Sequence, residues 1–191
     1  MPPVAKQTTV VAARDDELAA PGELEHLRQF VNTRDLELGT ELLRSPDNLR
    51  EWFTARGLTR PDEAVDQAAF ERAIALREAF RALLLANATG ERPPATALGT
   101  VTVAGQRATL RAAGDLRLAP TGPDAGLARL LAIAVVAQAD GTWARLKACP
   151  GRACQWALYD RTRSRTRTWC AAAKCGARTR SREYRRRKAA R

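Results

Sequence analysis

The chain has 191 residues, 32 Lys and Arg against 21 Asp and Glu, and a net charge of +11. Its longest apolar run, Leu130 to Ala137, is far short of the roughly 20 residues needed to cross a bilayer, which excludes a spanning helix. Residues 1–13 are broken by Pro3, Lys6 and Gln7 and offer no signal-peptide core, so the expected location is cytoplasmic.

Residues 1–20 read as a flexible leader. From Glu23 to about Thr33, Leu24, Leu27 and Val31 recur at helical spacing, with Phe30 beside them and Gly22 in front. A second helix is punctuated at both ends. Ser45 is a good N-cap, Pro46 suits the first helical position, Asp47 complements the positive end of the dipole, and Gly57 is placed to end it. Leu49, Trp52 and Phe53 form its apolar face. The longest helix is expected over Asp66 to Ala88, where Ala69, Ala73, Leu76, Phe80 and Leu83 recur in steps of three and four. Gly90, Pro93 and Pro94 stop it.

From Leu98 to Pro120 the pattern changes to short alternating stretches, including Val101 and Val103, Leu110 and Ala112, and Leu116 and Leu118. Ala104-Gly105 and Gly114-Asp115 stand at the breaks, which predicts two or three short antiparallel strands. A further helix from Pro123 or Asp124 to about Asp140 is apolar almost throughout, which predicts burial on most sides. The expected class for this part is α+β, a mainly helical domain with a small antiparallel sheet.

The remainder differs in kind. From Arg145 to Arg191 there are 16 basic and two acidic residues, Asp160 and Glu183, whereas the first 144 residues hold 16 basic and 19 acidic ones. All four cysteines lie here. Cys149 and Cys154 form one pair, Cys170 and Cys175 another, each with four residues between them, and 15 residues separate the pairs. Two tight loops can bring four soft thiolates around one tetrahedral zinc ion, and a closed four-sulfur shell leaves no position for substrate. Two disulfides are the alternative, disfavoured in a reducing compartment. Trp143 to Lys147 and Gln155 to Tyr159 read as short strands, Asp160 to Arg165 as a charged turn, and Ala177 to Ala190 as a basic helix. The resulting division is a leader at 1–20, a regulatory or dimerisation domain at 21–142, and a metal-stapled basic module at 143–191. A module this small needs such a staple, because it has few large apolar groups.

These residues also carry a resemblance. Cys149, Cys154, Trp156, Tyr159 to Arg163, Arg167 to Cys170 and Cys175 to Arg178 resemble the CGNR zinc-finger family of bacterial proteins. So does the continuation through Arg180, Arg182, Tyr184, Arg185 and Arg187. Upstream, Phe30 to Asp35, Leu49 to Phe53, Gly57-Leu58 and Leu76 to Leu83 are similar to the stress-induced transcription-regulator domain that accompanies this finger. The resemblance implies a zinc-dependent DNA-binding module in a transcription regulator, with a part in stress response. One departure stands out: Ala177 occupies the place of the Asn that names the finger, and Ala can neither cap a helix nor hydrogen-bond a base.

A near-neutral domain joined to an arginine-rich ordered module is the footprint of a nucleic-acid binder. Double-stranded DNA is the expected partner and RNA the alternative; an adaptor for acidic protein surfaces is a third class. Arg163, Arg165, Arg167, Arg180 and Arg187 are expected on phosphates, with Arg178, Arg182 and Arg185, and Arg186 at their edge, on a groove-facing stripe. Tyr184 shares a second face with Ala177 and Ser181 that is expected to rest on the zinc core. Asn32, Thr33, Trp52 and Arg77 are candidates for a small-molecule pocket; local capping of a helix end by Asn32 and Thr33 is the favoured alternative. A single histidine, His26, no free cysteine once zinc is bound, and no phosphate-binding glycine loop argue against an enzyme. A homodimer is compatible with this reading, which leaves the effector open.

Overall fold

A computed structural model describes residues 17–112 and 118–189. The first 16 residues of the expected leader lie outside that range. Its last four belong to the folded body, with Leu18 and Ala20 buried.

Helix α1 (Leu24–Val31) buries Leu24, Leu27, Phe30 and Val31, the predicted stripe. A short antiparallel pair follows, β1 (Arg34–Asp35) with β2 (Thr40–Glu41). Helix α2 (Pro46–Thr54) begins as expected: the Ser45 hydroxyl accepts from the Asn48 amide at 3.2 Å. Helix α3 (Gln67–Thr89) is capped by the Asp66 carboxylate, which accepts from Ala69 N at 2.6 Å, and ends at Gly90 with φ 74°. A left-handed residue of this kind is the usual C-terminal stop.

The expected strand around Val101 and Val103 is instead helix α4 (Ala95–Arg107). Alternation misled because Ala97, Val101 and Ala104, at helical spacing, are the residues turned to the protein, while Val103 is 55% exposed. Thr100 and Thr102 donate their hydroxyls to the carbonyls of Thr96 and Leu98, four residues back, at 3.0 and 2.9 Å. Such back-bonding lets Thr sit within a helix despite its strand preference. Gly105 lies inside the last turn and does not break it. The two later strands are present: β3 (Thr109–Ala112) pairs with β4 (Leu118–Thr121), Thr109 opposite Thr121. The Gly114-Asp115 break lies outside the described residues.

Helix α5 (Ala125–Ala139) buries Leu127, Leu130, Ile133 and Ala137, but Val135 and Val136 face solvent at 69% and 63% exposure. Burial is thus one-sided, contrary to the expectation from composition. After a 3₁₀ turn at Trp143–Arg145, β5 (Leu146–Ala148) pairs antiparallel with β6 (Ala157–Tyr159). A π-helical turn, Ala172–Gly176, leads into α6 (Ala177–Ala189). The class is α+β, as expected, with three separate two-stranded ladders among the described residues.

One core joins the two parts of the chain. Phe30, Phe53, Leu76, Phe80 and Leu130 share a cluster with Leu146, Ala148, Ala157 and Tyr159 from β5 and β6. The expected boundary after residue 142 therefore passes through this cluster and leaves four of its side chains on the far side. A second cluster forms around the four cysteines and Leu18, with Trp156 and Trp169 against it. No helix among the described residues is long and apolar enough to cross a membrane.

Candidate metal centre and nucleic-acid interface

Two loops build the cysteine cluster. The first turns tightly, with Cys154 N and Gln155 N both donating to Gly151 O, at 2.7 and 3.2 Å, and Gln155 held at φ 47°. In the second, Cys175 N donates to Ala171 O at 2.8 Å, so the π-helical turn delivers the last sulfur as it starts α6. All four cysteines are buried and unbridged, and their Sγ atoms lie within 4.8 Å of one another. Cys154 and Cys170 are 3.5 Å apart, Cys170 and Cys175 3.7 Å. Sulfurs bound tetrahedrally at about 2.3 Å from zinc stand about 3.8 Å apart, so the set fits Zn²⁺ and is too open for disulfide bonds.

Packed this closely, the four thiols perturb one another. Hydrogen bonds from Cys154 and Cys170 pull the Cys149 thiol far down, and the contact with Cys149, followed by burial, pushes Cys154 and Cys170 up. Four buried sulfurs share protons when no positive charge is among them. Zn²⁺ held by Cys149, Cys154, Cys170 and Cys175 removes that conflict and cross-links both loops to the start of α6. A closed shell of thiolates makes this a structural centre.

Sequence reasoning missed the polar support beneath it. Asp160, read as part of a charged turn, is completely buried. It accepts from Lys147 Nζ at 2.8 Å, Thr162 N at 2.9 Å, Thr162 Oγ1 at 2.6 Å and Arg167 N at 2.9 Å. Burial alone raises a carboxyl pKa, but the bonds from Lys147 and Thr162 outweigh it and hold Asp160 below its usual range. Lys147 also donates to the carbonyls of Arg165 (2.7 Å) and Arg167 (3.0 Å), and Arg165 takes φ 56°. The loop between the cysteine pairs is thus wrapped around one buried ion pair.

Further buried polar groups stitch the module to the helices. Asn32 pairs with the backbone of Ala157 in both directions, donating to its carbonyl at 3.0 Å and accepting from its amide at 2.7 Å. Arg81 donates to Gln155 O (3.0 Å) and Val31 O (2.7 Å), while Asn87 holds the carbonyls of Trp143 and Leu146. The pocket candidates Asn32, Thr33, Trp52 and Arg77 are instead engaged by protein groups, and Thr33 caps the helix end locally. Thr33 donates to Phe30 O, Arg77 grips both oxygens of Glu41 at 2.8 Å, and Trp52 is core with Arg56 stacked on its ring at 4.1 Å. Asn32 ends α1 as its C-cap, its backbone N–H donating to Arg28 O at 3.1 Å, while its side chain completes the edge of β6. His26 is half-buried, and burial followed by the neighbouring Arg56 lowers its pKa.

The expected nucleic-acid arginines divide. Arg163, Arg165, Arg180, Arg182, Arg185, Arg186 and Arg187 are exposed. Arg167 is not available: its guanidinium reaches Glu17 and the carbonyls of Trp169 and Cys170. Arg178 is exposed but paired with Glu37 of the β1–β2 turn at 2.7 Å, and Lys174 meets the same carboxylate at 2.8 Å. Arg152, at the tip of the first cysteine loop, was not anticipated. It lines a cleft of about 360 Å³ with Pro150, Thr179, Arg182 and Arg186. A lone Arg between two ligands gave no sequence signal, because only folding brings it to α6. Tyr184, expected against the zinc core, is 65% exposed.

Position 177 has a helical backbone, φ −62° and ψ −43°, continuous with the turn before it. It is not an N-cap, so the family's Asn would not cap α6 from here, and Ala is a good helix former. Gly176 before it is close to Trp169: an added Cβ would lie 3.3 Å from the indole.

Comparison with known families agrees with this construction. The profile described as "Putative stress-induced transcription regulator" matches residues 27–148, and that of the CGNR zinc finger matches residues 145–188. The two matches meet in β5, the strand shared by the helical core and the cysteine module. No curated protein matches the chain. The chain belongs to the family described as "Putative stress-induced transcription regulator" and carries, as its terminal module, a zinc-binding CGNR finger.

Proposed function

We propose that the protein is a zinc-dependent, DNA-binding transcription regulator, acting in the cytoplasm at the nucleoid, whose helical part senses a signal or mediates association. The observation that carries this reading is the convergence of Arg152, Arg182 and Arg186 on one cleft beside the cysteine cluster, on a helix whose other arginines are solvent-exposed. An α-helix with its side chains matches the major groove in width, and arginine forks suit phosphate and guanine. In this arrangement Arg163, Arg165, Arg180, Arg187 and Arg152 contact phosphates, and Arg182 and Arg185 face base edges. Zinc supplies no chemistry here beyond holding the cysteine loops against α6.

A second reading, a non-enzymatic RNA-binding protein, is favoured by one feature. Tyr184 is an exposed aromatic among Arg180, Ser181 and Arg185, suited to stack on an unpaired base. The four tryptophans, by contrast, are buried or half-buried.

Binding of the zinc-loaded chain to duplex DNA and single-stranded RNA across a salt series separates the two. About five phosphate contacts give a slope of log K against log salt of roughly −4 to −5 on duplex. Arg187→Ala should shrink that slope by about one on every sequence, and Arg182→Ala should cost about 1–3 kcal/mol on a preferred site only. RNA outcompeting every duplex at equal salt, with the preference lost in Tyr184→Ala, would replace the DNA reading with the RNA one.

A further inference from the structure

We propose that the cavity between α3, α4 and α5 binds a small organic carboxylate with an apolar body. The cavity measures about 290 Å³, and Ala75, Val103, Ala104 and Leu127 form its apolar wall. Val103 is 55% exposed there, an apolar surface on which an occupant can rest.

One side of the cavity is cationic. Arg72 directs Nε and Nη2 to a single oxygen of Asp124, at 3.0 and 2.8 Å. Arg107 reaches the other oxygen through Nε at 3.5 Å. Asp124 thus offsets one of two positive charges. Nη1 of Arg72 and both Nη atoms of Arg107 have no partner among the described residues, and Arg72 is three-quarters shielded from water. Guanidinium donors unpaired among the described residues, on two arginines lining an apolar pocket, suit one negative charge, planar and able to accept two bonds. Inorganic phosphate satisfies these donors but leaves the apolar wall bare, and a neutral alcohol does the reverse. The volume lies at the small end of ligand sites, about 300–1,000 Å³, and suits a single ring or a short chain.

Gly99 supplies the test. It lines the cavity, and a Cβ built on it meets no atom within 4 Å. Gly99→Leu therefore meets no clash at Cβ and is expected to extend its side chain over the cavity. It also removes a glycine from a helix interior, worth about 1 kcal/mol in favour of the fold. The experiment is titration of the zinc-loaded full chain with benzoate and with hexanoate, followed by ligand-observed NMR, with benzamide and 1-hexanol as neutral counterparts. Both carboxylates should bind with Kd below about 1 mM and the neutral molecules at least about tenfold more weakly. Gly99→Leu should abolish binding with its thermal midpoint unchanged or raised, and Arg107→Gln should bring the carboxylates to the level of the neutral probes. No binding of either carboxylate at about 10 mM overturns the proposal, as does unchanged affinity in Gly99→Leu or in Arg107→Gln. None of these readouts depends on nucleic acid.

Discussion

Replacing Asp160 with Asn keeps its volume and removes only its charge and part of its acceptor capacity. Each carboxylate oxygen of Asp160 accepts two bonds, Oδ1 from Thr162 N and Oγ1, Oδ2 from Lys147 Nζ and Arg167 N. An Asn amide, whichever way it is turned, points an NH₂ at two donors. Lys147, 6% exposed, loses its counter-charge in either orientation and keeps its two carbonyl partners. Breaking a buried pair on one side costs about 3–5 kcal/mol, well above an exposed ion pair at about 0–1 kcal/mol. Urea unfolding at fixed free zinc measures this, since metal binding and folding are coupled. Lys147→Met in the Asp160→Asn background should recover part of the loss, because it withdraws the stranded charge. A cost under about 1 kcal/mol, or strict additivity of the two substitutions, refutes the ion pair as the organising element of the loop.

Gly126 faces the Phe53 ring so closely that a Cβ would lie 2.5 Å from it. Phe53 is itself wedged against Phe30 and Trp52, so Gly126→Ala should cost about 1–3 kcal/mol in a thermal melt, and an unchanged midpoint contradicts the packing. Glu37→Gln frees Lys174 and Arg178 from a carboxylate whose pKa their hydrogen bonds lower, so it is charged at neutrality. Low-salt affinity for duplex DNA should rise about two- to fivefold with a stability change under about 1 kcal/mol; weaker binding contradicts the latch. Residues 21–142 expressed alone lack four core side chains and the carbonyls that Arg81 and Asn87 hold. Calorimetry should show a broad, early transition, and a sharp one at the full chain's temperature contradicts a shared core.

Local signals were the legible ones. Ser45, Gly90 and the paired cysteines act within a few residues of themselves, so they marked one helix start, one helix end and the metal ligands, while apolar recurrence marked the long helix whose Asp66 cap went unread. What escaped depends on distant partners. Asp160 and Lys147 look like ordinary surface charges until β5 and β6 pair and bring them together. Asn32 and Arg77 looked like pocket groups because their acceptors, Ala157 and Glu41, lie 125 and 36 residues away. Helix α4 was mistaken for strand because valine and threonine favour strands in isolation, a preference overridden here by packing on α3 and α5. Arg167 and Tyr184 exchanged their expected roles, the arginine drawn inward by carbonyls and the aromatic left in water.

If zinc holds α6 in place as a nucleic-acid-binding element, stripping the metal must weaken binding. Fluorescence anisotropy on a labelled duplex reads this out, before and after zinc is removed with a chelator under reducing conditions and then restored. One zinc per chain, at least a tenfold loss of affinity on removal, on the order of 1.4 kcal/mol or more, and recovery on adding zinc back are expected. Equal binding by the metal-free chain would contradict it.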